Sequence, residues 1–162
     1  MKIKNKKLIK DTRPILEWLK NHGYKNEIVT VTETARSAQE AADSLGVSLG
    51  QIAKSLIFMT TETKRSILVI TSGSNRVNEK AIAEIIEEKI ERAEANWIKE
   101  TTGFSIGGIP PVAHKTKAIV LFDEDLCQYD EIWAAAGHPY AVFKTTPTEL
   151  IKMSESKIIS VR

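Results

Sequence analysis

A chain of 162 residues, 42% hydrophobic and 27% charged, is long enough to bury one core and has the make-up of a globular domain. A net charge of +2 is too small to announce nucleic-acid binding, no apolar run approaches the ~20 residues that span a bilayer, and no apolar signal core follows the N-terminal lysines. A single cysteine, Cys127, excludes an internal disulfide and a cysteine-built metal site, so the expectation is a cytoplasmic protein with no membrane partner.

The charge is unevenly spread. Lys2, Lys4, Lys6, Lys7 and Lys10 all precede the first acid, Asp11. Residues 1–12 therefore read as a lysine-rich extension and 13–162 as the domain proper. Such an arm can meet phosphates, but a solvated, mobile terminus is the commoner outcome.

In chain order, Asp11 or Thr12 is expected to cap a first helix, with Pro14 in its opening turn and Ile15, Leu16 and Leu19 on its apolar side. Gly23 closes it, and His22 at its end reads as structural. Residues 27–31 form a short strand. Ser37 to Glu40 is a capping box opening an alanine-rich helix that stops at Gly46, and Ser48 caps one further turn. Residues 53–60 and 66–72 are two β-like runs joined by a polar turn, a hairpin. Asn78 caps a helix with Ile82, Ile85 and Ile86 on one face. A short strand at 90–93 and a helix at 95–102 precede Gly103. Residues 118–122 give the clearest strand, 131–136 and 140–144 two more, Thr146-Pro147-Thr148-Glu149 the start of a helix, and 157–161 a last strand. About seven short strands with helices scattered between them make an α+β fold on a mixed, largely antiparallel sheet.

The segment Gly103 to Lys115 holds three of the eight glycines and two of the five prolines, which reads as a rigid loop between a helix and a strand. No serine-hydrolase elbow, phosphate-binding loop or dinucleotide fingerprint is present. His22, His114 and His138 have no metal-ligand spacing, so neither a metal nor a cofactor is expected. Cys127 has no nucleophile signature and is expected to behave as a small buried hydrophobe. Lys54, at the start of an apolar strand, is either an edge lysine turned to solvent or a charge aimed into a cleft. His114 and His138 carry the same two alternatives.

Three stretches carry a resemblance: Gln51-Ile52-Ala53-Lys54-Ser55-Leu56-Ile57-Phe58, Gly103-Phe104-Ser105-Ile106-Gly107-Gly108-Ile109-Pro110-Pro111, and Ala134-Ala135-Ala136-Gly137-His138-Pro139. In this order and spacing they resemble the YbaK/prolyl-tRNA synthetase-associated editing family of aminoacyl-tRNA deacylases, from about Thr34 to Leu150. The resemblance implies a single compact YbaK-like domain and hydrolysis of the ester joining a wrong amino acid to the 3′ end of tRNA, in trans. It places Lys54 at the substrate cleft and Gly107 to Pro111 as its Gly-x-x-x-Pro element, with the amides of Gly107 and Gly108 toward the ester carbonyl. His138 falls at a pocket position, as base or as a gate on pocket size. Ser55, Ile109, Pro110, Pro111 and Gly137 complete the expected substrate contacts. The implied partner is the 3′ end of aminoacyl-tRNA, with an aminoacyl-tRNA synthetase as a further one. A non-catalytic module holding tRNA, a nucleotide or a synthetase is the alternative, and a small-ester hydrolase unrelated to tRNA is a third reading.

Overall fold

The computed structural model describes residues 6–32 and 37–162; Lys2, Lys4 and the start of the resembling region at Thr34 lie outside the described residues. Five helices, α1 (Lys6–Asn21), α2 (Ala38–Leu45), α3 (Glu79–Ile86), α4 (Ala95–Thr102) and α5 (Pro147–Ser154), surround one sheet. Its strands are β1 (Ile28–Thr30), β2 (Ile52–Thr60), β3 (Ser66–Ser72), β4 (Ile90–Arg92), β5 (Ile119–Asp123), β6 (Ile132–Ala135), β7 (Ala141–Thr145) and β8 (Lys157–Ile159). They lie in the order β1-β7-β6-β2-β3-β5-β8, with β4 also on β2. The pairings β1–β7, β6–β7, β2–β3 and β2–β4 are antiparallel, while β2–β6, β3–β5 and β5–β8 are parallel. The expected α+β fold with a mixed, mainly antiparallel sheet is what the chain forms.

Strand alternation divides the core between the two faces. Leu68 and Ile70 of β3 join Phe122, Phe143, Ile15, Leu19, Ile98 and Leu150 on the face covered by α1, α4 and α5. Ile67 and Val69 turn the other way and meet Phe58, Leu121 and Ile82 of α3. The helix ends follow local chemistry. The side chains of Ser37, Asn78 and Thr146 each accept from the third amide of their helices, and Gly46 and Gly103 end α2 and α4 in the left-handed region.

One expected boundary is corrected. The cap foreseen at Asp11 or Thr12 lies inside α1, which already runs from Lys6. The buried stripe is Leu8, Thr12, Ile15 and Leu19, so it starts within the lysine-rich segment. Thr12 is no cap: its hydroxyl donates back to the Leu8 carbonyl at 2.8 Å. Pro14 sits in the helix interior, beyond the opening turn.

Asp123, at the end of β5, is fully buried and gathers the chain around it. Its carboxylate accepts from the Ser72 amide (2.9 Å), Asn75 Nδ2 (2.8 Å), Thr71 Oγ1 (3.2 Å) and the Asp125 amide (2.9 Å). Removing that acceptor strands several buried donors at once. Asp123→Ala is expected to cost about 3 kcal/mol in a urea melt, and Asp123→Asn clearly less because one oxygen stays.

β2 organises the functional half of the sheet. On the edge away from β3 it pairs with β6 only at Ile52 and Ala53, and with β4 only from Phe58 to Thr60. Among the described residues, the stretch between those two pairings has no strand beside it.

Candidate active-site cleft

That gap opens into a cleft of about 560 Å³. Its walls are mainly apolar, built from Ala41, Ile98, Ile106, Ile109, Trp133 and Val142, and its charged groups among the described residues are Lys54 and Arg92. Lys54 is half-buried, and its Nζ makes no hydrogen bond or ion pair to any described residue. Arg92 Nη2 is held 3.4 Å from Glu79. A half-buried, unpaired ammonium on a rigid central strand is poised to receive an anionic or strongly polar group.

The loop after α4 forms the opposite lip and is tied to the core along its length. Phe104, Ile109 and Val112 are buried. Lys115 and Thr116 donate their amides to Thr102 and Thr101, both at 2.9 Å. The Gly108 amide donates to the Ser105 carbonyl at 3.2 Å, closing a turn whose third residue, Gly107, has φ +96. A positive φ at that place is the type II pattern and needs glycine. Farther along, the neutral imidazole of His114 donates Nε2–H to the Pro110 carbonyl at 2.6 Å, across Ala113, whose φ of 68 is rare for a residue with a Cβ. The rigid loop read from the sequence is therefore present, and its rigidity comes from this turn and from His114 as much as from the prolines.

The structure brings Lys54, Ser55, Gly107 and Ile109 to one cleft. The other expected residues stand apart from it. Gly108 backs the lip, and its amide is spent on Ser105, so only Gly107 of the glycine pair has an amide without a partner among the described residues. A Cβ on Gly108 would lie 2.7 Å from the His138 nitrogen, and one on Gly137 would lie 2.3 Å from the Asp11 carbonyl oxygen. Both glycines serve close packing. Pro110 supplies the acceptor for His114. Pro111 lines a second cavity of about 550 Å³ together with His114, Trp18 and His22.

His138 stands outside the cleft lining. It is 5% exposed; its Nδ1 accepts from the Tyr140 amide at 3.1 Å, and its ring stands 5.3 Å from that of Tyr140. The neighbouring cleft residue is Pro139. In this geometry the Nδ1 of the buried imidazole is engaged in fixing the turn to Tyr140. Cys127, expected to be buried, is exposed, and its thiol is pushed up by desolvation first and then by Asp123 and Glu124, which suits no nucleophile. His22 bonds the Trp18 carbonyl at 2.7 Å and stacks on that indole at 4.0 Å, in keeping with a structural role.

Burial holds both His114 and His138 below the ordinary imidazole range; for His114 the Pro110 hydrogen bond opposes this, and for His138 the Asp11 carboxylate does. Their folded forms resist protonation while the unfolded chain titrates near 6.5. The stability they confer is complete above that value and is lost as pH falls through it toward their lower folded values. Melting temperature is expected to drop below about pH 6.5, and to drop less steeply in His114→Gln/His138→Gln.

Sequence reasoning missed Arg92, Ile106 and Trp133. Arg92 and Trp133 sit in no motif, and the return of β4 and β6 to the two ends of the gap brings them to the cleft; Ile106 lies within the Gly103–Pro111 stretch but was not singled out there. Among the described residues no His, Asp or Glu lines it, no cluster of His, Cys, Asp or Glu is arranged to hold a metal, and no helix is long and apolar enough to cross a membrane.

Comparison with known proteins adds the family. Residues 32–153 match the model of the aminoacyl-tRNA editing domain. The YwhH protein of Bacillus subtilis is 29% identical over 133 residues, covering 82% of this chain and 84% of that one. EbsC of Enterococcus faecalis, named as a candidate Cys-tRNA(Pro)/Cys-tRNA(Cys) deacylase, is 25% identical over 85% of this chain and 84% of its own. A crystal structure described as a candidate trans-editing enzyme for prolyl-tRNA synthetase superposes with a TM-score of 0.90 at 35% identity, covering 94% of this chain and 96% of that one. With the matched region running from the end of β1 to α5, around the Lys54 and Gly107 cleft, the chain belongs to the YbaK-like aminoacyl-tRNA editing domain family.

Proposed function

We propose that the protein is a trans-acting aminoacyl-tRNA deacylase that hydrolyses the ester of mischarged tRNA. The observation that supports this reading is that one apolar-walled cleft is lined both by Lys54 and by the Gly107 turn, and that the Lys54 Nζ and the Gly107 amide have no partner among the described residues. An aminoacyl ester is already activated, so it needs placement and oxyanion stabilisation more than a strong nucleophile. Lys54 would hold the phosphate of the terminal adenosine. The Gly107 amide would donate to the carbonyl oxygen as water adds to the carbon, and one such donor is typically worth ~3 kcal/mol. The tetrahedral intermediate then expels the ribose oxygen, giving the free amino acid and a 3′-hydroxyl.

No side-chain general base lines the cleft among the described residues, so the neighbouring 2′-hydroxyl of the substrate is the group left to orient the water. The walls, with Ile98, Ile109 and Trp133 among them, would act as a sieve for small side chains. The names of two relatives support action on tRNA in partnership with a synthetase. Incubation with a panel of mischarged tRNAs, followed by release of the labelled amino acid, tests the reading. Release from at least one member well above the uncatalysed rate is expected. Tight tRNA binding with no release from any would instead favour a non-catalytic binding module.

A further inference from the structure

The gap in β2 has a consequence for Ser55. Ile52 accepts from the Gly73 amide at 2.7 Å and Thr60 donates to Arg65 at 2.9 Å, so the even-numbered residues of β2 bond to β3. The odd-numbered ones face the other edge. Ala53 meets β6 there, and Met59 and Thr61 meet β4 and the residue before it. Ser55 lies between, where neither neighbour reaches. Its N–H and C=O have no ladder partner, and its buried Oγ has no hydrogen-bond partner among the described residues. Ser66 Oγ likewise has no partner among the described residues, but Ser66 lines neither cavity, and its strand lies between two others, paired with β2 from Ser66 to Ser72 and with β5 from Ile67 to Ile70. Among the described residues, only Ser55 combines open main-chain groups, an open hydroxyl and a place in the cleft.

We infer that Ser55 is the subsite for the α-ammonium group of the aminoacyl ester, its carbonyl and Oγ accepting two of the three ammonium protons. This rests on the editing function proposed above. An ammonium entering this cleft finds no carboxylate among the described lining residues, so neutral acceptors must meet it. Lys54 and Ser55 leave the strand on opposite faces, which keeps the cation that holds phosphate apart from the acceptors that hold the ammonium. Buried polar groups left without partners lower stability, which fits groups kept open for a ligand.

The test compares an aminoacyl-tRNA that the protein cleaves with the same tRNA carrying the N-acetylated amino acid. Acetylation removes the charge and two protons, and kcat/KM is expected to fall about tenfold or more. In Ser55→Ala that ratio should shrink severalfold while the melting temperature does not fall, because the lost hydroxyl had no partner. Ser66→Ala should leave the ratio as it is in the wild type. Independently, the ¹³C-labelled Ser55 carbonyl should shift on addition of 3′-alanylamino-3′-deoxyadenosine and not with its N-acetyl form. Equal rates on the two esters, or a carbonyl that responds to neither or to both probes, overturn the subsite and leave the deacylase reading standing. Absence of cleavage of every ester overturns the deacylase reading, and the carbonyl shift then decides the subsite alone.

Discussion

Lys54→Ala is expected to lower kcat/KM for aminoacyl-tRNA hydrolysis by about 10²–10³ while the protein melts within a few degrees of the wild type. The asymmetry follows from its surroundings. Lys54 is half-buried, like Ser55 and Leu56 beside it, and its ammonium touches no described acceptor, so the folded chain loses no ion pair when it goes. What disappears is a cation held at the cleft by the central strand, and the substrate must then meet the apolar walls without it. Lys54→Arg separates charge from shape: the guanidinium keeps the charge but spreads it over a planar fork, and partial activity is expected. Activity should also decline with salt in the wild type and be less salt-sensitive in Lys54→Ala, since a charge contact to phosphate is screened. Wild-type rates in Lys54→Ala on a well-folded protein would remove Lys54 from the chemistry.

Much of this fold was legible because local signals agreed with the tertiary outcome. The capping residues Ser37, Asn78 and Thr146 sit where they were expected, and the β2–β3 hairpin follows two apolar runs around a polar turn. The start of α1 was not legible. The lysines around Leu8 hide the apolar stripe there, and only the burial of Leu8 and Thr12 in the folded chain shows that it begins so early. In the site, the residue types of the lip were readable but the direction of their groups was not. Whether Gly108 offers its amide to a ligand or to Ser105 depends on a turn, and whether His138 faces the cleft depends on which side of Gly137 the helix α1 lies. The open edge at Ser55 is a property of register between four strands, and no window of sequence encodes it locally.

Gly108→Ala is expected to damage both stability and turnover, and the reason is a stack of backbones. At Gly108 an added Cβ would stand 2.7 Å from the His138 nitrogen and 2.8 Å from both the Gly137 carbonyl carbon and the His138 Cα. None of these is the end of a flexible side chain. The 137–138 segment has nowhere to retreat, because Gly137 itself lies against the Asp11 carbonyl of α1. The strain must therefore be relieved on the other side, by pushing the Ser105–Gly108 turn toward the cleft and breaking the Gly108-to-Ser105 hydrogen bond. Overpacking of this kind typically costs about 1–3 kcal/mol. The displaced turn carries the Gly107 amide with it, and a donor moved by a fraction of an ångström loses much of its hold on an oxyanion. A fall in kcat of more than about tenfold is expected, with KM changed less, because an oxyanion donor, the role proposed for this amide, acts mainly on the transition state. Gly107→Ala gives the contrast: its Cβ has room, the nearest atom being Pro139 Cγ at 3.6 Å, but its φ of +96 does not suit a residue with a Cβ. Stopped-flow deacylation and thermal melts on both variants check the pair. A Gly108→Ala protein with the wild-type melting temperature and kcat would show that the lip yields without moving the amide, and the oxyanion role of Gly107 would fall with it.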